Sequence, residues 1–434
     1  MSVDDSSSNE GIRPPPSPDR SRHFFLYAVA RSLEMGIPPA VQFAVALLAG
    51  PEEGGRFFPL TAIAMILFAM ADLGVSRALP ALAGSRPEDA SPRLPEILGW
   101  RWLAGMLTAA GILLLPVRLL RPWGIEPGVQ WPLILFMAGR LQLTACQGFR
   151  LGRADFRALA RGAIGQAAVL CFCLAGAWST GALNAVNALT ATGLSAWAGV
   201  WLLHDARIWP KQPRSLLLLP FRSAGRAAAR QTFPLAWASV AGSLYPRLDA
   251  LIGGWFLSHA ALGTYAMLDA AYRLLLAPVG MAAQTVFPDL RAAAGRRSPD
   301  ELRAALGWYF RAGGQLGTVA ILLGGLAVWH LSRTDPIAVL PALAFAFSLP
   351  LSIPNAILPP LWFSMGWLDE WAVYAGLVTF LRLAAGAPAC AVWGSAGLAW
   401  THFGLEASAC AGFWLIWHRR RKRLWAAGSP ADPA

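Results

Sequence analysis

Residues 57–83 read FFPLTAIAMILFAMADLGVSRALPALA, and this stretch decides the fold. Its first fifteen residues hold no charge, and Asp72 and Arg77 are its only ionisable side chains. As a helix rising 1.5 Å per residue it spans roughly 40 Å, more than the ~30 Å hydrocarbon core of a bilayer. It has no two-residue alternation, so a barrel strand is excluded. In lipid every backbone polar group must be bonded internally, which leaves a transmembrane helix.

The same pattern recurs along the chain. Approximate spans are 24–48, 57–83, 97–115, 131–150, 158–178, 183–203, 231–257, 261–288, 306–331, 336–364, 367–391 and 395–417. The tenth is long and carries Pro350, Pro354, Pro359 and Pro360, and the eleventh and twelfth are separated by a very short junction. Composition agrees, with 56% hydrophobic and 14% charged residues in 434. A soluble chain carries about 25% charged residues. The expected fold class is an all-α polytopic membrane protein of about 12 transmembrane helices, in two six-helix pseudo-symmetric lobes around a central cavity. Residues 1–22 are polar and Pro/Ser-rich and read as a disordered cytoplasmic tail. Residues 23–203 form the N-terminal lobe, 204–230 a basic cytoplasmic linker, 231–417 the C-terminal lobe and 418–434 a basic cytoplasmic tail. The first apolar stretch is too long for a signal-peptide core and shows no small-residue cleavage site, so it reads as a retained span.

Orientation follows the basic residues in the connections. With the N-tail inside, inside segments hold 24 of them, including Arg150, Arg153, Arg157 and Arg161, and the run Arg419 to Arg423. The outside connections hold 4: Arg56, Arg118, Arg121 and Arg333. Both termini are therefore expected in the cytoplasm. The basic runs are topogenic and imply no nucleic-acid partner. Trp123, Trp131, Trp178, Trp209, Trp329 and Trp417 fall near span ends, as an interfacial belt does.

A shift of 208 residues lays Gly50 to Phe57 over Ser258 to Tyr265, and Leu79-Pro80-Ala81-Leu82 over Phe287-Pro288-Asp289-Leu290. Spans one and two then correspond to seven and eight. Six spans per repeat is even, so the halves share an orientation and are related by an axis along the membrane normal. Spans one and seven, both with central charge and proline, are expected to face each other across the cavity.

Enzyme chemistry lacks its residues. Neither Lys211 nor Lys422 follows a glycine, so there is no phosphate-binding Gly-Lys-Ser/Thr loop. The six histidines form no His-x-x-x-His pair, so no metal site is expected. The five cysteines lie in apolar stretches, are odd in number, and build no disulfide framework. Outside connections are too short for a catalytic domain. Glu52-Glu53 in the first of them reads as a polar turn rather than the acid pair of a polytopic sugar transferase. No catalytic residue and no cofactor is expected.

Charges inside spans carry the remaining information, because each is costly in hydrocarbon and faces a cavity or a partner. Near mid-span stand Arg31 and Glu34, Asp72, Arg140, Arg247 and Asp249, Asp269 and Arg273, Arg382, and Glu406. Arg31/Glu34 and Asp269/Arg273 are spaced to pair on one helix face. Arg382 is placed to pair with Glu406 on the next helix. Arg101 lies nearer a span end and is placed to snorkel. Arg140 has no acid within four residues.

One stretch carries a resemblance. Residues 244–257 (LYPRLDALIGGWFL), 261–266 (ALGTYA), 276–279 (LAPV) and 287–290 (FPDL), with Gly50-Pro51-Glu52, Gly55-Arg56-Phe57 and 71–78 (ADLGVSRA), resemble the seventh, eighth, first and second helices of bacterial polysaccharide flippases. These are the O-antigen type within the multidrug/oligosaccharidyl-lipid/polysaccharide exporter superfamily. About 130 residues are covered; elsewhere only helix number and topology match. The resemblance implies two six-helix lobes, a central cationic cavity and alternating access for a polyprenyl-pyrophosphate-linked oligosaccharide bound for a surface polysaccharide. Its expected partners are that lipid-linked sugar, membrane lipids and a polysaccharide polymerase machinery. By position in the span, Arg31, Arg140, Arg247 and Arg273 are the expected substrate-binding residues. Glu34, Asp249, Asp269 and Glu406 are the candidates for ion coupling. The alternatives are a cation-coupled drug exporter of the same fold and a polytopic glycosyltransferase or ligase.

Overall fold

The computed structural model describes residues 18–76, 79, 94–114, 117–123, 128–153, 155–204, 236–237, 240–296, 298–365 and 368–426. Of the expected tail at 1–22 only 18–22 are described, and of the expected linker at 204–230 only residue 204; the rest lies outside them. Each of the twelve expected spans overlaps a described helix, although 77–78, 80–83, 115, 231–235, 238–239 and 367 lie outside the described residues: α1 Pro18–Leu48, α2 Pro51–Asp72, α3 Leu94–Leu114, α4 Gln130–Gly152, α5 Phe156–Ser179 and α6 Ala185–Leu203. The second half holds α7 Leu248–Phe256, α8 His259–Thr285, α9 Pro299–Thr334 and α10 Pro336–Ala356. Leu368–Ala426 supplies the last two, α11 (368–393) and α12 (395–426), parted at Gly394. The chain is an all-α polytopic membrane protein. Among the described residues, eight helical stretches are long and apolar enough to cross a membrane.

Local chemistry sets the helix ends. Asp155, Asn184 and Ser258 each accept a hydrogen bond from a backbone N–H of the first turn, at 3.1, 2.8 and 3.3 Å. Such caps satisfy donors that the helix itself leaves open. Pro51 and Pro299 open their helices at positions where no N–H is needed. The ten-to-eleven region breaks where its prolines demand: α10 ends at Ala356, and the short helix Leu358–Ser364 resumes with Pro359 and Pro360 in its first turn. The junction of α11 and α12 turns on Gly394 at φ 58°, ψ −139°, a left-handed backbone that a side chain would strain. Helix α1 starts at Pro18, inside the stretch expected as a tail, and α12 runs on to Ala426, past the expected end of the last span at 417.

Each half has its own apolar core. Val45, Phe57, Leu60, Leu133, Met137 and Leu189 are among the buried residues of the first. The second gathers Leu248, Ile252, Leu262, Tyr265, Phe345 and Leu398. Helix α2 belongs to both: Phe57 and Leu60 point into the first core, while Phe58 and Ala62 point into the second.

The lobes meet through α1, α2, α7 and α8, with α1 along α8, α2 against both α7 and α8. At the crossing of α2 and α8 the backbones touch. A Cβ on Gly55 would overlap the carbonyl of His259, and one on Gly263 would overlap that of Pro51. Both contacts obey the 208-residue shift, which carries 51 to 259 and 55 to 263. The local two-fold axis thus passes between α2 and α8. Spans one and seven take no part in this contact; α1 packs along α8, and α7 against α2. The reason is size: only glycine admits helices this close, and the glycines sit on spans two and eight.

A short 3₁₀ segment, Val117–Trp123, reaches from the first lobe to the second. The Trp123 indole donates to the Leu251 carbonyl at 3.0 Å and meets Trp255 edge-on, with ring centroids 5.6 Å apart.

Candidate functional site

The charged side chains inside the spans sort into three groups. The first is confined to the N-terminal lobe. Asp72 on α2 and Arg101 on α3 form a buried pair at 2.7 Å. The Arg101 guanidinium also donates to the Leu141 carbonyl at 2.7 Å and to the Thr144 hydroxyl at 2.6 Å, and Asp72 accepts from the Ser76 hydroxyl at 2.7 Å. Arg101 therefore does not snorkel. Its charge is answered inside the protein, where pairing offsets the cost of leaving water.

The second group fills the interior of the C-terminal lobe. Asp249 on α7 receives both sides of the Arg382 fork from α11: Nε at 2.7 Å on one carboxylate oxygen and Nη2 on the other. Tyr265 on α8 donates its hydroxyl to the same carboxylate at 2.5 Å. Arg382 further contacts His402 Nδ1 on α12 at 2.8 Å and lies over the Tyr245 ring, 4.8 Å from its centroid. Asp249 and Arg382 are each 1% exposed. The expected Arg382–Glu406 pair is absent. Glu406 instead accepts from the Asn355 amide at 2.6 Å and from the Ser352 hydroxyl at 3.3 Å, and Ser352 in turn bonds the Tyr272 hydroxyl at 2.5 Å. Helices α11 and α12 are consecutive, but the guanidinium fork matches a carboxylate presented two-pronged, and Asp249 presents it.

The third group lies where the lobes meet. Span seven is interrupted before α7 by the 3₁₀ turn Tyr245–Arg247. Proline at position 246 has no N–H to continue a helical ladder, so nearby carbonyls need other donors. Arg247 donates to the Ser243 carbonyl at 2.7 Å, and Arg273 of α8 donates to that of Pro246 at 2.6 Å. Arg273 also pairs with Asp269 at 2.8 Å, the one-face pair expected from their spacing. Its side chain is 31% exposed while Asp269 is 1% exposed, so the cation faces open space and the acid faces protein. Gln42 of α1 ties the first lobe to this pair, donating to the Ala266 carbonyl at 2.6 Å and to Asp269 at 3.4 Å. Arg247 lies within electrostatic reach of Arg273 and of Arg140, which comes from α4 in the other lobe.

Of the four expected substrate-binding arginines, Arg140 on one lobe and Arg273 on the other are thus within electrostatic reach of Arg247. Arg31 is on α1, but its side chain falls outside the described residues. Of the four ion-coupling candidates, Asp269 borders the arginine cluster, Asp249 is enclosed by Arg382 and Tyr265, and Glu406 sits in the amide–hydroxyl network. Glu34 is partly exposed on α1. Sequence reasoning missed Gln42, Tyr265 and His402. The first is uncharged, and the other two read as ordinary aromatic residues of apolar helices. Among the described residues no group of three or more His, Cys, Asp or Glu is placed to hold a metal ion.

No protein-family model matches the chain, and no curated protein matches it. Solved structures do. An inward-facing multidrug resistance MATE family transporter of the MOP superfamily matches 93% of this chain and 96% of its own, with a TM-score of 0.62 at 16% identity. A MATE structure in complex with MaL6 gives 0.66 at 14% identity over 94% of this chain and 97% of its own. The eukaryotic MATE transporter AtDTX14 gives 0.62 at 13% identity, over 93% and 98%. The chain therefore has the fold of the MATE transporters of the MOP superfamily.

Proposed function

We propose that the protein is a membrane exporter of this fold whose cargo is an anionic amphiphile, a polyprenyl-pyrophosphate-linked oligosaccharide moved from the inner to the outer leaflet. The observation that carries this reading is the meeting of Arg140 from one lobe with Arg247 and Arg273 from the other. These guanidiniums bring positive charge from both lobes toward one region, where Asp269 pairs with Arg273. Like charges brought together in low dielectric are costly; a cargo carrying two ionised phosphates offsets that cost through charge-assisted, forked hydrogen bonds. Because the cluster draws on both lobes, its geometry changes when the lobes rock. A site of that kind grips the head group in one state and loosens it in the other. The lipid tail stays in the bilayer, so the cavity has only to accommodate the sugar and the phosphates. In this reading both termini are cytoplasmic, as the arginine asymmetry of the connections requires, and a polysaccharide polymerase consumes the product. The protein carries out transport and no covalent chemistry.

A second reading has its own support. The structural neighbours are multidrug transporters, and a cation-coupled drug exporter would use buried carboxylates such as Glu406 and Asp269. The two readings part on the sign of the cargo. Purified protein in liposomes should translocate a lipid-linked pyrophosphate sugar, and Arg140→Ala and Arg247→Ala should each lower the rate at least tenfold with insertion unchanged. Lysine at either site should recover only part of it, lacking the planar fork. Wild-type rates in both alanine variants, or export of organic cations that survives both, would replace the first reading with the second.

A further inference from the structure

Helices α3 and α4 are consecutive, yet they do not close against each other along their length. Between them runs a furrow of about 190 Å³. Its walls include Trp102, Gly105 and Met106 from α3 and Ala138, Leu141 and Ala145 from α4. The small residues Gly105, Ala138 and Ala145 leave the space, and Trp102 and Met106 stand at its rim, 38% and 48% exposed. Arg101 contributes only its stem to the floor, because its guanidinium is taken up by Asp72, Leu141 and Thr144. Apart from Gln142 on α4 the remaining walls are apolar, and the furrow lies on helices that cross the hydrocarbon.

Such a space is unsuited to water, which needs two to four polar partners to stay. Its length points to what fills it. From Leu98 to Ala109 the lining extends over eleven helical steps, roughly 16 Å. That is about half the ~30 Å hydrocarbon core, the depth of one leaflet. The charge at one end selects a head group. Phe149 lines the furrow near the end of α4, and Arg153 caps that helix four residues later. The segment 150–161 holds Arg150, Arg153, Arg157 and Arg161 against one acid, Asp155.

We infer that this furrow is a binding site for one anionic phospholipid, its acyl chain lying between α3 and α4 and its head group at Arg153. The site is separate from the arginine cluster of the transport path, because Arg140 leaves α4 on the face turned away from the furrow. The cytoplasmic leaflet is assigned by the topology proposed above; the site itself does not depend on that topology or on the identity of the cargo.

The test uses the full chain in phosphatidylcholine nanodiscs containing a few per cent of phosphatidylglycerol with a photoactivatable group midway along one chain. After irradiation, label on peptides covering 98–109 and 134–149 should exceed by at least threefold that on α5, whose Phe172 is 80% exposed. Gly105→Leu combined with Ala138→Leu should fill the furrow and bring labelling down to the α5 level. Arg153→Ala should erase the preference for phosphatidylglycerol over phosphatidylcholine carrying the same group. Because the first measurement is made on wild-type protein, it stands even where the filled variant fails to fold. Label spread evenly over the lipid-facing helices would overturn the site. So would displacement of phosphatidylglycerol from these peptides by an equal amount of polyprenyl phosphate, which would assign the furrow to the tail of a transported lipid. Loss of cargo translocation with labelling intact would count against the proposed function alone.

Discussion

Asp249→Ala would leave the Arg382 guanidinium, 1% exposed, facing only His402 and the Tyr245 ring among the contacts described above. Breaking a buried ion pair from one side costs about 3–5 kcal/mol. The Tyr265 hydroxyl loses its acceptor as well, and a buried orphan donor costs about 1–3 kcal/mol. Even the lower bound of about 3 kcal/mol lowers the folded-to-unfolded ratio more than roughly 100-fold. Removing the ion pair and its tyrosine, by Asp249→Leu, Arg382→Met and Tyr265→Phe together, leaves no charge and orphans only His402 Nδ1. The stability of this variant should return to within about 1–2 kcal/mol of wild type, since well-packed apolar replacements of buried pairs are often neutral or better. The assay is unfolding by sodium dodecyl sulfate in mixed micelles, followed by helix content and tryptophan emission, with translocation measured on the same preparations in liposomes. A triple variant as unstable as Asp249→Ala would refute the account of the pair as a mutual neutraliser. A triple variant that is stable and folded but cannot translocate would make Asp249 a working carboxylate rather than a structural one.

Other outcomes follow from the same geometry. Gly55→Ala or Gly263→Ala should force the lobes apart at their crossing; with the native cysteines replaced, thiol labelling of Ser258→Cys should then rise several-fold, and unchanged labelling would mean that the backbones do not touch in the membrane. Asp155→Ala should destabilise α5 by about 1 kcal/mol through loss of its cap, read as earlier unfolding in detergent. Outward movement of an anionic head group gains ~2.3 kcal/mol per charge per 100 mV of inside-negative potential; liposomes given only a potassium–valinomycin potential should therefore translocate faster, and a rate that ignores the potential but follows one ion gradient would locate the coupling elsewhere.

Much of this architecture was legible from order and spacing alone. Residues 57–83 announce a span because its length and apolarity are properties of a contiguous stretch. Asp269 and Arg273 could be paired on paper, since four residues make neighbours on a helix whatever surrounds it. Asp249 and Arg382, 133 residues apart, could not, because that contact depends on how α7 and α11 lie side by side. Arg101 misled for the same reason: its place near a span end gives its depth in the membrane, but says nothing of the acid on α2 that holds it. The repeat pointed to the helices at the centre but not to their arrangement. Charge and proline drew attention to spans one and seven, whereas the axis is set by the residues with no side chain at all.

The crossing of α2 and α8 has one more consequence. Pro51 meets Gly263 and Gly55 meets His259, so each contact is the image of the other. A surface that docks on its own copy is isologous, the hallmark of a two-fold homodimer. Each half of this chain therefore carries both sides of the joint, and a chain cut to one half would present a self-complementary face. Tethering the halves in one polypeptide keeps each at high effective concentration for the other and frees them to diverge. Val41 stands 208 residues before Asp249 and is apolar and buried. The charge that organises the second half thus has no counterpart in the first. A dimer of identical chains cannot have that asymmetry, because any substitution would enter both sides at once.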